Sequence, residues 1–278
     1  MIPTNGIRLH TALAGPEDGQ IAILLHGFPE FWYGWRRQIP ALATAGLRVV
    51  APDQRGYNLS DKPKAVQAYN LDQLADDVLG LIEHFGRDKV YLAGHDWGAA
   101  VAWWVALKYP ERIQKLAILN VPHPAVMRRH LMSNPIQLLR SWYIFFFQIP
   151  WLPEWLLSLN IHANGVRALK ASGRTDTFSD EDLEAYQEAW SQPSAWRSTI
   201  NWYRAILRHA PQRLVNARVQ IPTLILWGKQ DLALNFKMAE DSLKFCDDAR
   251  LHAFEQATHW VQHDEADQVN RMLVEFFK

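Results

Sequence analysis

Val90-Tyr91-Leu92-Ala93-Gly94-His95-Asp96-Trp97-Gly98-Ala99-Ala100 is the stretch from which the fold can be read. Val90 to Gly94 is a short apolar run of the kind that forms a strand buried on both faces. From Gly98 the chain continues as Gly-Ala-Ala-Val-Ala-Trp-Trp-Val-Ala-Leu-Lys, helix-forming sequence that stops before Tyr109-Pro110. Between the two, the small residues Gly94, Gly98 and Ala99 permit a sharp strand-to-helix turn, since bulk there would clash as the helix returns against the sheet. Asp96 stands at the apex, where a residue is strained and exposed.

Outward from this turn, similar runs recur at 21–26, 47–52, 116–120, 223–227 and 249–254, each rich in Val, Ile or Leu and bounded by turn-forming residues. Leu71 to Phe85 places apolar residues at helical spacing, with Asp72, Asp76, Asp77 and Glu83 on an expected solvated face. The alternation predicts an α/β fold, a mostly parallel central sheet flanked by helices. Between Asn120 and Pro222 the strand signal stops, and six of the thirteen tryptophans fall in residues 123–213. We expect a core domain from residues 1–122 and 214–278 and an inserted helical cap (lid) domain from 123–213, with a buried cleft between them.

Composition narrows the function classes. The 278 residues carry 29 Lys plus Arg against 29 Asp plus Glu, with no long Lys/Arg run, so no excess of positive charge points to nucleic acid or an anionic membrane as the main partner. Cys246 is the single cysteine and cannot form an intramolecular disulfide. The amino terminus lacks the pattern of a secretory signal, and the greasy segment Trp142–Leu157 is interrupted by Gln148, Pro150, Pro153 and Glu154. A cytoplasmic protein without a membrane span is expected.

The apex residue decides the chemistry. A serine at such a turn must lose a proton before it attacks, whereas a carboxylate with an ordinary pKa of about 3.9 is already ionised. Asp96 can therefore attack an electrophilic carbon directly and leave an alkyl ester on the protein. Hydrolysis of that ester needs a base and an acid that orients it, in the chain order nucleophile, acid, histidine. Asp231 follows the strand at 223–227 and His259 follows the strand at 249–254, both at carboxyl ends where parallel sheets gather site residues. Asp247 or Asp248 would be the fallback acid, while His252 falls within a strand and His263 on the next helix. His26-Gly27-Phe28-Pro29 ends the strand at 21–26; the backbone N–H groups of Phe28 and Trp97 are the expected oxyanion donors, their side chains serving shape. His95 reads as a support for the loop, and Asp53-Gln54-Arg55-Gly56-Tyr57 as a brace for the core.

Together, HGFPEFWYGW at 26–35, DQRGYNLSDKP at 53–63, GHDWGAAVAWW at 94–104, WGKQD at 227–231 and ATHWVQHDEADQVN at 257–270 resemble the α/β-hydrolases of the epoxide hydrolase group. The resemblance implies conversion of an apolar or aromatic epoxide and water to a vicinal diol through a covalent aspartyl ester, with no metal or organic cofactor. Family members carry two cap tyrosines that hydrogen-bond the epoxide oxygen; the matching segments make these Tyr143 and Tyr203. Phe28, Trp97, Trp32 and Phe147 are expected to line the substrate cleft. Two other readings stay open: a haloalkane dehalogenase using the same aspartate, and a non-catalytic ligand-binding protein that retains the fold. Phe28 offers no side-chain donor for a halide, and a receptor has no need of the full residue set.

Overall fold

Three short strands that the apolar-run reading does not contain open the chain: β1 (Ile2–Thr4), β2 (Ile7–Leu9) and β3 (Thr11–Ala14). The computed structural model describes residues 1–278 apart from Val215 and the side chain of Ile161. β1 and β2 form an antiparallel hairpin whose turn residues Asn5 and Gly6 both have positive φ, 41° and 75°. Asn-Gly is the sequence signal for such a hairpin, since strands of three residues are too short for a periodicity to show.

The six apolar runs form the parallel part of the sheet as β4 (Ile21–Leu25), β5 (Arg48–Pro52), β6 (Val90–His95), β7 (Ile113–Leu119), β8 (Thr223–Gly228) and β9 (Ala249–Phe254). The strand order is β3-β5-β4-β6-β7-β8-β9, with only β3 antiparallel, to β5. Alternate residues serve opposite faces, as the two-residue period requires. Ile23, Leu25, Leu92, Ile118 and Ile225 belong to one buried cluster, whereas Leu24, Ala93, Ala117, Leu119 and Leu226 belong to another. β9 departs from the expected burial on both faces: it is the sheet edge, and Ala249 to Ala253 are exposed or half-buried.

Helices α1 (Gln38–Thr44), α2 (Leu71–His84) and α3 (Trp97–Lys108) pack on the sheet. α2 corrects one expectation. Asp77 is buried rather than solvated, and it accepts from Arg55 Nε at 2.8 Å and Nη2 at 2.5 Å, so the Asp53–Tyr57 segment is tied to α2 by a paired buried charge. Burial of the Asp77 carboxylate without such a partner would be costly.

Between β7 and β8 the chain is helical: α4 (Pro124–Ser133), α5 (Pro135–Arg140), α6 (Trp142–Phe146), α7 (Leu152–Ser172), α8 (Asp180–Trp190) and α9 (Ala195–Arg208). The starts are written locally. Asn134 caps α5 ahead of Pro135, and Ser179 with Asp182 forms a capping box on α8. α9 packs on residues 66–69, and its Trp202 indole N–H donates to the Arg55 carbonyl at 3.0 Å. A third buried cluster joins these helices to the loop after β4, through Phe31, Phe147, Tyr186, Trp190, Trp196 and Tyr203. The chain closes with α10 (Lys237–Ser242), α11 (Val261–Asp264) and α12 (Ala266–Phe277). No helix among the described residues is long and apolar enough to cross a membrane.

Candidate active site

Asp96 has φ 50° and ψ −124°, a conformation that L side chains rarely adopt, at the junction of β6 and α3. Its neighbours make the turn possible. A Cβ at Gly98 would run into the Leu25 and His26 carbonyls, and one at Gly94 into the Gly98 carbonyl. The Asp96 carbonyl opens the hydrogen-bond ladder of α3, accepting from Ala99 and Ala100 at 2.9 and 3.0 Å. The turn is thereby held and its side chain projects away from the sheet.

Asp96 Oδ1 accepts the Phe28 N–H at 2.7 Å, and Asp96 Oδ2 lies 3.4 Å from His259 Nε2. Gly27 is required by this approach, because a Cβ there would collide with the Asp96 side chain. The other ring nitrogen of His259, Nδ1, is 2.7 Å from Asp231 Oδ2. Asp231 Oδ1 in turn accepts the backbone N–H groups of Ala233 and Leu234 at 2.8 and 2.9 Å, which orient the carboxylate. Carboxyl ends of three parallel strands thus bring Asp96, Asp231 and His259 into one hydrogen-bonded line.

The electrostatics follow from burial and pairing. Burial alone would push the His259 pKa down, but Asp231 and Asp96 outweigh it and hold it up at about 10. Burial opposes ionisation of Asp96 as well, yet His259, His95 and the Phe28 N–H keep its carboxyl below the ordinary carboxylate range. Asp231 is lowered by His259 and Asn120 against the same burial. The site therefore holds two carboxylates around one imidazolium.

The loop after β4 is fixed from beneath. His26 Nε2 accepts the Gln54 N–H at 3.0 Å, so its proton sits on Nδ1, which donates to the Gly27 carbonyl at 2.9 Å. His95 Nε2 donates to the His259 carbonyl at 2.8 Å, and its Nδ1 lies 3.1 Å from Gln262 Nε2 and 3.4 Å from Glu30 Oε2. The His26 and His95 rings thus anchor the loops that carry the Phe28 N–H and the His259 ring.

Above Asp96 lies a cavity of about 320 Å³, lined chiefly by aromatic and aliphatic side chains, among them Phe28, Trp142, Tyr143, Phe147, Trp196 and Tyr203. Asp96 and His259 form its polar floor. The rings of Tyr143 and Tyr203 are edge-on with centroids 5.9 Å apart. Burial, reinforced by the Asp96 charge, raises both phenol pKa values, so both stay protonated. The Tyr143 hydroxyl makes no hydrogen bond among the described residues, and the Trp97 ring packs edge-on against Tyr203 with centroids 5.0 Å apart.

Two lining expectations are corrected. Trp32 does not line the cavity: its N–H donates to Asp53 Oδ1 at 3.0 Å and its ring packs on Phe31 and Tyr33. Trp97 also lies outside the lining, its indole wedged against Trp202 and Tyr203 with centroids 5.6 and 5.0 Å away, so its side chain does more than shape the cleft. As the first residue of α3, Trp97 has an N–H without a partner inside the helix. One contributor was missed entirely: Asn120, after β7, donates from Nδ2 to Asp231 Oδ2 at 2.8 Å. The available signal was a polar residue at a strand's carboxyl end, in register with the two others. Among the described residues no group of three or more His, Cys, Asp or Glu side chains is placed to hold a metal ion.

Comparison with known proteins agrees with this architecture. A family model described as alpha/beta hydrolase fold matches residues 23–266. The chain is 45% identical over 277 residues to AB hydrolase superfamily protein YfhM of Bacillus subtilis, covering 100% of this chain and 96% of that one. It is 40% identical over 289 residues to Epoxide hydrolase 4 of Homo sapiens, covering 100% and 77%. A crystal structure of a mutant epoxide hydrolase from Bacillus megaterium, complexed with its product (R)-3-[1]naphthyloxy-propane-1,2-diol, superposes with TM-score 0.90 at 31% identity over 99% of this chain and 98% of that one. The chain belongs to the α/β-hydrolase fold family, in its epoxide hydrolase group.

Proposed function

We propose that the protein hydrolyses an apolar or aromatic epoxide to a vicinal diol through an ester on Asp96, with residues 1–122 and 214–278 as catalytic core and 123–213 as cap. The observation that carries this reading is the placement of the ionised Asp96 on the floor of an apolar cavity roofed by two protonated phenols. The relatives named as epoxide hydrolases, and the aryloxy diol held by the Bacillus megaterium enzyme, support the substrate class.

Asp96 Oδ2 attacks a ring carbon as the carbon–oxygen bond breaks, and Tyr143 or Tyr203 protonates the departing oxygen. Esterification removes the Asp96 charge, and with it part of what holds the His259 proton. That proton passes to the phenolate, leaving a neutral imidazole beside a neutral ester. Total charge is unchanged and no proton comes from solvent. His259, oriented by Asp231, then takes a proton from water as the oxygen adds to the ester carbonyl, while the Phe28 and Trp97 N–H groups hold the oxyanion. Collapse expels the diol and restores the carboxylate–imidazolium pair. The residues need no cofactor for any of these steps.

The dehalogenase alternative requires a side-chain N–H free to hold the halide. Of the lining indoles, Trp196 donates to His162 Nδ1 and Trp260 to Ser172 Oγ, both at 2.9 Å, which leaves Trp142 as the one on which that alternative rests. The decisive experiment is intact-protein mass spectrometry of His259→Gln after exposure to styrene oxide. A mass increase equal to one epoxide on Asp96 is expected. An unmodified protein, or halide release from 1-bromobutane without epoxide turnover by the native enzyme, overturns the reading.

A further inference from the structure

Among the described residues, nine of the fourteen exposed large apolar side chains lie between Met132 and Trp155, on α4 to α7 and the turn before α7. Leu139 and Trp151 are 75% and 74% exposed, and Trp142, Phe145 and Trp155 are each more than half exposed. Scattered exposed leucines are ordinary, but a run of consecutive short helices that all present aliphatic and indole surface to solvent is a contact surface. Leu232, 64% exposed, adds to it, because Gln137 of α5 is hydrogen-bonded to the Ala233 carbonyl at 2.8 Å.

Charge separates the possible occupants. Among the described residues Arg128 and Arg140 flank this surface without a carboxylate partner, and Arg129 is half exposed with its charge only partly offset by Asp241. The one acid within residues 128–155, Glu154, is bound to Arg204 at 2.5 Å. A two-fold contact between copies would set this surface against itself, arginine facing arginine with no free carboxylate to answer. Exposed tryptophans between apolar side chains and arginines suit the boundary of an anionic bilayer instead. Trp142 is at once part of this surface and part of the cavity lining.

We infer that α4 to α7 dock the cap on an anionic lipid surface, with the mouth of the cavity at the lipid boundary. The inference does not depend on the reaction catalysed. It has a consequence for that reaction, since apolar substrates partition into lipid and would enter beside Trp142.

The test is co-sedimentation of the purified full chain with phosphatidylcholine vesicles containing about 30 mol% phosphatidylglycerol, compared with phosphatidylcholine alone. Binding to the anionic vesicles that weakens with salt is expected, accompanied by a blue shift of tryptophan fluorescence. The double substitution Leu139→Ser/Trp151→Ser removes surface that neither lines the cavity nor belongs to a buried cluster. It should lower vesicle binding about tenfold and leave turnover of a water-soluble epoxide unchanged, showing that the fold persists. Arg128→Glu with Arg140→Glu should weaken binding to the anionic vesicles alone. Absence of vesicle binding by the native protein, or full binding by the Leu139→Ser/Trp151→Ser variant, overturns the inference. So does a dimer in light scattering that this variant converts to monomer, which would assign the surface to a second copy.

Discussion

Asn120 Nδ2 donates to Asp231 Oδ2 at 2.8 Å, the same oxygen that lies 2.7 Å from His259 Nδ1. Asn120 itself is buried with φ 51°, and its Oδ1 accepts the Gly228 N–H at 2.9 Å. One carboxamide therefore ties the end of β7 to the end of β8 and sets the position of the acid between them. With Ala233 and Leu234 on Oδ1, the carboxylate has donors on both oxygens and little freedom to turn away from the histidine.

Asn120→Ala should lower stability by about 1–3 kcal/mol, the usual effect of leaving buried partners unsatisfied. Its kinetic effect is more specific. Rapid-mixing experiments should show hydrolysis of the ester slowed about tenfold while formation of the ester changes little, because in the proposed reaction only the second step uses His259 as a base. Asn120→Asp would place a second carboxylate against Asp231 and should behave worse than alanine at neutral pH. Equal slowing of both steps by Asn120→Ala would show that Asn120 acts on the fold alone.

Tyr143 and Tyr203 face the cavity with protonated phenols but unequal surroundings, since the Trp97 ring packs edge-on against Tyr203. Each Tyr→Phe substitution should slow ester formation by about 10²-fold, in the range expected for loss of a positioned proton donor. The double variant should bring it near background and leave hydrolysis of a preformed ester intact. Single-turnover fluorescence quenching resolves the two steps. Native rates in the double variant would remove the phenols from the reaction.

The His259 pair also governs the pH dependence of stability. Its pKa is held up at about 10 in the folded protein, against about 6.5 in an unfolded chain. Below about pH 6.5 both states carry the proton and the stabilisation is complete. Between about 6.5 and 10 the folded state binds a proton that the unfolded state does not, so stability falls as pH rises and this contribution is gone above about 10. Thermal unfolding of the native protein should show that decline, and His259→Gln should show a flatter profile across the same window.

Much of the sheet is legible in the sequence because each parallel strand is a short, uninterrupted apolar run, and its residues alternate between two buried clusters as the pleat requires. The turn at Asp96 is legible for a local reason too, since Gly94 and Gly98 have no alternative where carbonyls approach so closely. Asp231 and His259 could be anticipated from chain order and strand ends. Asp77 could not: its place on α2 suggested solvent, and only Arg55, arriving from another segment, makes its burial tolerable. Trp32 and Trp97 were misplaced for a similar reason, because an aromatic residue reports that it will be covered but not by what.

What the amino-acid order determined by itself is therefore the layered α/β core, the strained apex and the identity of its carboxylate, all consequences of steric and hydrophobic rules that act over a few residues. The tertiary structure alone decided which donors hold Asp231, how high the His259 pKa is lifted, which aromatic side chains face the cavity and which face solvent. Those properties depend on distances between groups far apart in the chain, and charge interactions and desolvation change steeply over a few ångströms.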